Sequence, residues 1–172
     1  MNNIVIREAF PGEYSAIGEM MVEVYSSLEG FPQREEMPDY YEMLLNVGDL
    51  TTKENITIYV AIENELIAGA VVFVKDMVDY GSEGIATSIS NACGFRLLTV
   101  DHRHQGKGIG KKLVEFCLQK GQNLNRDRLI IHSTKPMKLA WEMYERLGFT
   151  RDEKLDIEKE ELKVYGFNYN YR

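Results

Sequence analysis

One stretch of the sequence, residues 94–121, constrains the fold more than any other, because it joins an apolar segment to a helical segment through a glycine-rich turn. Residues 95–100 form a short apolar run typical of a strand, and residues 111–120 have the three- and four-residue apolar spacing of a helix. Between them, residues 101–110 are polar and rich in glycine. The first N–H groups of a helix have no partner within it and the helix dipole makes that end positive, while glycines let a ligand approach the backbone. The stretch therefore predicts an anion site, usually one for phosphate.

The spacing of the glycines excludes two common phosphate loops. A Walker A loop needs a second glycine five residues after the first, but Lys111 stands five residues after Gly106 and no hydroxyl residue follows the lysines. The dinucleotide fingerprint needs Gly-x-Gly-x-x-Gly, whereas Gly106, Gly108 and Gly110 alternate. The pattern that does fit is Gln-x-x-Gly-x-Gly, which begins at Gln105.

The Gln-x-x-Gly-x-Gly pattern resembles the acyl-CoA pyrophosphate loop of the GNAT N-acetyltransferase superfamily, in which a strand ending Leu-x-Val precedes the loop. Leu98 and Val100 hold those strand positions, and Val100 stands five residues ahead of Gln105, as in the family. The resemblance implies acetyl-CoA as the cosubstrate, with the main chain of Leu98 and Val100 along its pantetheine arm. It also implies a pyrophosphate site made of Gln105, Gly106, Lys107, Gly108, Ile109, Gly110 and Lys111.

A second pattern, Ala-x-x-x-Tyr-x-x-x-Gly-Phe, runs from Ala140 to Phe149 and begins on a helix predicted over residues 137–147. It is similar to a signature of the same family, in which the tyrosine gives a proton to the leaving thiolate. The resemblance therefore assigns Tyr144 as the general acid, and a backbone N–H at or near Val100 as a donor to the acyl carbonyl. Without that resemblance, Tyr144 would be interpreted as a core tyrosine whose hydroxyl reaches the edge of the core.

The sequence departs from the family pattern at two functional positions. Met137 stands where many members have an asparagine that contacts the cofactor, so this contact is lost or moves to Ser133 or Thr134. Many members also carry a glutamate on the central strand as general base, and residues 97–99 offer none. The base is therefore left open between a water chain and the side chains of Asp79, Glu83, Asp101 and His132.

Length, charge and composition limit the class of protein. A chain of 172 residues suits one domain, here residues 1–172, and no apolar run approaches the ~18 residues of a membrane span. The net charge of −7 argues against a nucleic-acid partner, whose affinity depends on clustered lysine and arginine. The N-terminus lacks the features of a signal peptide, no residues have metal-ligand spacing, and Cys117 lies on an apolar helix face. These features predict a reduced, cytoplasmic protein without a metal.

Apolar periodicity and turn residues predict the order of the secondary structure. Besides the central stretch, the predicted elements are a strand at 4–6, helices at 11–28 and 37–47, a hairpin of strands at 56–62 and 66–75, a strand at 128–133, a helix at 137–147, and a strand pair at 149–157 and 162–171. This order predicts an α/β fold of the GNAT type, with a mixed, mostly antiparallel central sheet and helices on both faces. Every second residue from Tyr165 to Tyr171 is aromatic, which favours a core face over a dimer contact.

Together these patterns predict an N-acetyltransferase that moves an acetyl group from acetyl-CoA to a primary amine by direct attack in a ternary complex. Transfer through a cysteine is disfavoured because neither Cys93 nor Cys117 has a visible activating partner. The acceptor is left open between a small-molecule amine and a protein or peptide amine, and the acidic, aromatic segment 25–41 leans toward a small cation. The alternative is a non-catalytic acyl-CoA-binding sensor, and a homodimer is expected only from the family. The failed Walker spacing disfavours a nucleotide triphosphatase.

Overall fold

The computed structural model describes residues 3–171, which form a seven-stranded sheet and four α-helices. In chain order, the elements are β1 Ile4–Glu8, α1 Tyr14–Ser26, α2 Pro38–Leu45, β2 Ile56–Glu63, β3 Leu66–Val74, β4 Ala92–Val100, α3 Ile109–Asn123, β5 Arg128–Ser133, α4 Lys138–Arg146, β6 Thr150–Arg151 and β7 Tyr165–Asn170. Within residues 3–171, no helix is long and apolar enough to cross a bilayer.

The strand order across the sheet is β1-β2-β3-β4-β5-β7-β6. All neighbouring strands run antiparallel except β4 and β5, which are parallel and are connected through α3. One hydrophobic core lies between the sheet and the helices α1 and α2, and the other lies between the sheet and the helices α3 and α4. The predicted mixed, mostly antiparallel sheet with helices on both faces is therefore confirmed.

The helix α3 follows directly from its sequence pattern. Its buried apolar face consists of Ile109, Leu113, Val114 and Cys117. Burial of a large apolar side chain stabilises the fold by roughly 1.5–3 kcal/mol. The buried face therefore determines which side of α3 packs against the sheet. Cys117 is fully buried, as its place on the apolar face predicts, and this burial raises the pKa of its thiol.

The final strand pair is shorter than the sequence predicts. The predicted strand over 149–157 is limited to the two residues of β6, and a single bridge at Ile157 replaces the rest of the ladder. Asp152 interrupts the strand because its carboxylate accepts the N–H of Lys154 at 3.1 Å and caps a short 3-10 turn. Such a local bond from a side chain to the backbone competes with strand pairing.

The aromatic face of β7 packs into the core, as the alternation of its residues predicts. Phe167 is fully buried, and its ring centroid lies 4.8 Å from that of Trp141 in a perpendicular contact. The same ring lies 6.5 Å from Tyr144, so that Phe167 joins β7 to two residues of α4. The position of α4, and with it that of Tyr144, therefore depends on this core face.

Substitution of Phe167 by alanine is expected to lower the free energy of unfolding by about 3–5 kcal/mol, because it removes a fully buried ring and leaves a cavity under α4. Denaturant-induced unfolding of the two proteins measures the difference. Leu139→Ala is the control, since Leu139 is 81% exposed on the same helix and its loss should change the stability by less than about 0.5 kcal/mol. A loss below about 1 kcal/mol for Phe167→Ala would contradict this account of the core.

Candidate functional site

A cleft opens where the two parallel strands of the sheet stop pairing. β4 and β5 are paired only over their first residues, and the last pair is Gly94 with Ile130. Beyond that pair, the second half of β4 and the end of β5 line the two sides of a cleft of about 880 Å³. Backbone N–H and C=O groups that leave a ladder need other partners, so this edge of β4 can bond a ligand through its main chain.

A β-bulge shapes the β4 side of the cleft. The pairing register of β3 with β4 shifts between Ala70 and Val72, because β4 holds an extra residue there. Leu97 adopts a φ of +57°, a left-handed conformation that is uncommon for a branched side chain. The hydroxyl of Tyr25 on α1 donates a hydrogen bond to the carbonyl oxygen of Leu98 at 3.0 Å and so connects the bulged segment to α1. Bulges often lie beside functional sites, where they re-aim backbone and side-chain groups.

The glycine loop lies at the end of this strand, against the start of α3. Gly108 is the residue that precedes the first turn of α3 and has a φ of +80°, while Gly106 has a φ of +78°. A Cβ added at either glycine would meet no atom within 4 Å, so open space lies over the loop. The side-chain amide of Gln105 donates to the carbonyl oxygen of Val100 at 3.3 Å and joins the loop to the strand. The helix N-terminus is therefore presented to the cleft with room for an anion.

An ion-pair cluster that the sequence did not reveal connects the glycine loop to the end of β2. Glu63 at the end of β2 is fully buried, and its Oε2 lies 2.5 Å from Nδ1 of His104 and 3.0 Å from Nζ of Lys107. The bonds from His104 and Lys107 lower the pKa of the Glu63 carboxyl. The side chain of Lys107 therefore binds Glu63 and adds no charge to the face of the loop that lines the cleft. No local pattern predicts this cluster, because Glu63 stands 41 residues from His104 in the chain.

The cleft contains all but one of the residues that the sequence predicts for the site. Those that line it are Leu98, Val100, Gln105, Gly106, Gly108, Ile109, Gly110, Lys111 and Tyr144. Lys107 is the exception, since its side chain is bound to Glu63. Residues that are distant in sequence are thus brought to one cleft by β4, the glycine loop and α4.

Tyr144 lies at the edge of a core and also lines the cleft. It is 5% exposed, and its ring packs against Phe95 at 5.9 Å and Phe149 at 5.6 Å between centroids. Burial raises the pKa of its phenol above the ordinary value near 10. The phenol therefore stays protonated at neutral pH, and the side chain is available as a proton donor in the cleft.

Thr134 offers a polar group that lacks a partner. It is 4% exposed and lines the cleft, and its Oγ1 is buried with no hydrogen-bond partner among residues 3–171. Its neighbour Ser133 also lines the cleft, and the one partner of its hydroxyl among residues 3–171 is the sulfur of Met137, at 4.0 Å. A buried hydroxyl without a partner is unfavourable, so Thr134 is suited to bond a ligand in the cleft.

Two of the side chains considered as a general base are engaged elsewhere. Asp79 does not line the cleft and lies 3.5 Å from Nζ of Lys53. Asp101 accepts the N–H and the guanidinium of Arg103, and this pairing lowers the pKa of its carboxyl. Both carboxylates therefore have structural partners within the described chain.

The other two, His132 and Glu83, do line the cleft. His132 Nε2 lies 2.8 Å from the carbonyl oxygen of Leu155, which can only accept, so this nitrogen carries the proton. The other nitrogen, Nδ1, lies 3.0 Å from the hydroxyl oxygen of Tyr80 and accepts a hydrogen bond from that hydroxyl. Burial lowers the pKa of His132, which keeps the ring neutral at neutral pH, whereas Glu83 is exposed at the rim.

The cleft is positively charged although the chain has a net charge of −7. Glu83 is the one acidic residue among those that line it. The basic residues that line it are Arg96, Lys111, Lys138, Arg146 and Lys159. This distribution favours an anionic ligand over a cationic one.

Comparison with known proteins identifies the same architecture elsewhere. The sequence model described as acetyltransferase (GNAT) family matches residues 19–149. Among curated proteins, none matches the chain by sequence.

Solved structures share the fold over nearly the whole chain at low identity. An acetyltransferase of the GNAT family from Staphylococcus aureus Mu50 is 17% identical with a TM-score of 0.73, over 99% of this chain and 100% of that one. The PaiA N-acetyltransferase from Thermoplasma acidophilum, solved in complex with coenzyme A, is 15% identical with a TM-score of 0.73, over 98% and 99% of the two chains. YncA from Salmonella typhimurium, solved with its cofactor acetyl-CoA, is 15% identical with a TM-score of 0.67, over 98% and 94%. At these identities the likeness concerns the fold.

Proposed function

Since the chain belongs to the acetyltransferase (GNAT) family, we propose that it moves the acetyl group of acetyl-CoA to a primary amine by direct attack in a ternary complex. The observation that carries this proposal is the cleft itself, in which a glycine loop at a helix N-terminus and the protonated Tyr144 line one continuous space. A proton donor next to a phosphate seat is what transfer from a CoA thioester requires.

The residues present fit acetyl-CoA at three places. The open space over Gly106 and Gly108 can take the pyrophosphate against the N–H groups of the loop and of α3, with Gln105, Ile109, Gly110 and Lys111 around it. The free edge of β4 at Leu98 and Val100 can bond the amides of the pantetheine arm. The unpartnered hydroxyl of Thr134 can replace the cofactor contact that an asparagine at the position of Met137 would make.

The proposed chemistry needs an amine nucleophile, an oxyanion donor and an acid. Acetyl-CoA supplies the activated acetyl group as a thioester. A backbone N–H of β4 at or near Val100 holds the acyl oxygen while the amine nitrogen forms a bond to the acyl carbon. As the carbon–sulfur bond breaks, Tyr144 donates its phenolic proton to the sulfur, and the amine nitrogen releases one proton to solvent. The products are an N-acetyl amine and CoA, and solvent returns the proton to Tyr144.

Transfer through a cysteine has no support in this arrangement. Cys93 and Cys117 are both fully buried, and neither lines the cleft. Burial raises the pKa of the Cys93 thiol to about 12, so that the thiolate nucleophile is not formed at neutral pH. The two buried free thiols are also the feature that supports a reducing, cytoplasmic location. We further infer that residues 1–172 act as one acyltransferase domain.

A non-catalytic acyl-CoA sensor is the second candidate. It is favoured by one observation: of the four side chains considered as a base, none is both free of structural partners and buried in the cleft. A sensor needs no general acid, so this second candidate does not explain why Tyr144 lines the cleft as a proton donor.

Free-thiol release from acetyl-CoA over a panel of primary amines separates the two functions. The panel contains amino acids, amino acid amides, polyamines, amino sugars and a peptide with a free N-terminus. We expect at least one amine to be acetylated with a kcat on the order of 1 s⁻¹ or faster, well above the hydrolysis measured without amine. Calorimetric binding of acetyl-CoA is measured in parallel. Binding without thiol release over the whole panel would favour the sensor, and the absence of binding would reject both functions.

A further inference from the structure

Arg96 lines the cleft and lies four residues before Val100, after which the glycine loop begins. It belongs to β4, directly after Phe95, whose ring packs against Tyr144. Successive side chains of a strand point to opposite faces of the sheet. Arg96 therefore reaches the cleft from the face covered by α1 and α2, opposite to the face that carries Tyr144.

Aromatic side chains form the walls around this arginine. The guanidinium carbon lies 5.9 Å from the ring centroid of Tyr80, and a Cβ on Gly81 would lie 3.1 Å from Nη1 of Arg96. Tyr25, Phe31 and Tyr40 also line the cleft and contact one another, with ring centroids 5.6–6.2 Å apart. Arg96 is partly buried, and most of the other residues that line the cleft are apolar or aromatic.

No counter-ion for this cation lies in the described part of the chain. Among residues 3–171, the arginines that form ion pairs are Arg7, Arg103, Arg126 and Arg151. Arg96 forms none, and the one acidic residue that lines the cleft, Glu83, is exposed. The guanidinium therefore keeps its donors free for a ligand, and an anion bound in the cleft would form a charge-assisted, bidentate hydrogen bond with it.

The phosphates of acetyl-CoA are not suited to be that anion. The loop that would hold them follows Val100. Arg96 pairs with Val72 and Val100 pairs with Gly69, so that three residues of β3, roughly 10 Å, separate the two positions. This separation favours the other substrate, the acceptor, as the source of an anion at Arg96.

We propose that the acceptor is a small amine that also carries a carboxylate, an amino acid with an apolar side chain, and that Arg96 binds this carboxylate. The apolar body of such an acceptor would lie against the aromatic wall formed by Tyr25, Phe31 and Tyr40. The sequence of segment 25–41 favours a small cation. In the structure, however, Tyr25, Phe31 and Tyr40 line the cleft, whereas Glu29 is exposed and does not line it. This inference rests on the proposed function, because it names the acceptor class of that reaction.

Rates with paired acceptors test the role of the carboxylate. Leucine, methionine and phenylalanine are each compared with the corresponding α-amide, which keeps the amine and the side chain and removes the negative charge. We expect the wild-type protein to prefer each amino acid by on the order of 100-fold in kcat/KM. The amine of the α-amide is less basic than that of the amino acid, so more of it is in the neutral, reactive form at neutral pH. Amine basicity therefore favours the amide and cannot produce a preference for the amino acid.

Variants of Arg96 identify the residue that reads the charge. Arg96→Gln is expected to lose on the order of 100-fold in kcat/KM for the amino acids while it changes the rates for the amides by less than about threefold. Arg96→Lys keeps the charge without the planar fork and should recover part of the loss. The Kd of acetyl-CoA should be the same in all three proteins. Equal losses for acids and amides, or no loss for the acids, would overturn the proposal in favour of a packing role against Tyr80.

A binding experiment separates failure of this inference from failure of the proposed function. N-acetylphenylalanine is titrated by calorimetry into the complex of the protein with CoA, in wild type and in Arg96→Gln. Binding that the variant loses supports the carboxylate site, whether or not turnover is seen with any amine. Thiol release with amides or other uncharged amines, but no binding of the carboxylate ligand, would overturn the acceptor class and leave the acetyltransferase function intact.

Discussion

Replacement of Tyr144 by phenylalanine is expected to lower the kcat of acetyl transfer by about 10²–10⁴-fold, the usual contribution of a general acid. The variant keeps the ring that packs against Phe95 and Phe149 and removes only the hydroxyl. The fold and the Kd of acetyl-CoA should therefore remain unchanged, so that the loss is confined to the chemical step. Thiol-release kinetics with the best amine of the panel, together with calorimetric binding, measure both quantities.

Tyr169→Phe is the matched control for this variant. Tyr169 packs against Phe149 in the same aromatic cluster, with centroids 5.5 Å apart, but does not line the cleft. We expect its kcat to stay within about twofold of wild type, as for a substitution remote from the chemistry. A Tyr144→Phe variant with the kcat of the control would show that the phenol has no role as an acid and would leave it as a core residue.

A negative charge at Gly108 is expected to weaken acetyl-CoA binding by on the order of 100-fold relative to a neutral side chain of the same shape. The comparison is between Gly108→Asp and Gly108→Asn. Gly108 has a φ of +80°, a conformation that most side chains avoid but that asparagine and aspartate adopt most readily. The two variants share the cost in backbone strain and differ in the charge that they place over the proposed pyrophosphate seat.

The same change at the other end of α3 controls for charge alone. Asn125 follows that helix, is exposed and has a φ of +55°, so that Asn125→Asp adds one negative charge to a left-handed residue away from the cleft. We expect the Kd of acetyl-CoA to change by less than about twofold in this variant, because screening in salt removes most of the interaction between distant charges. If Gly108→Asp bound acetyl-CoA as well as Gly108→Asn does, the phosphate seat would lie elsewhere.

The glycine loop and the helix after it follow from short-range chemistry. Gly106 and Gly108 take positive φ angles, which glycine adopts without steric cost, and the apolar spacing of α3 marks the face of the helix that is buried. The order of strands and helices was predictable for the same reason. The break at Asp152 escaped prediction because a carboxylate that caps a turn and one that points to solvent look the same in a sequence.

The cleft itself is a product of long-range pairing. It opens because β4 and β5 separate after Gly94, and because β4 bulges at Leu97 against β3. Strand pairing is set by the fit of whole faces across the sheet, so neither event has a signature within the strand concerned. The resemblance to a family identified the residues around the cleft, and the tertiary structure decided which of them face it.

The clearest contrast is between Lys107 and Arg96. The sequence shows both charges, and it predicts Lys107 at the phosphate loop. In the structure, however, Lys107 forms an ion pair with Glu63 at the end of β2. Arg96 had no motif to mark it, and only the fold shows that it lines the cleft beside Tyr80 and Gly81 with no ion-pair partner among residues 3–171. The glycine turn and the helix faces depend on neighbours in sequence and were therefore predictable from it, whereas the bulge at Leu97 was not. Charge pairing and burial depend on neighbours in space, and only the folded chain decided them.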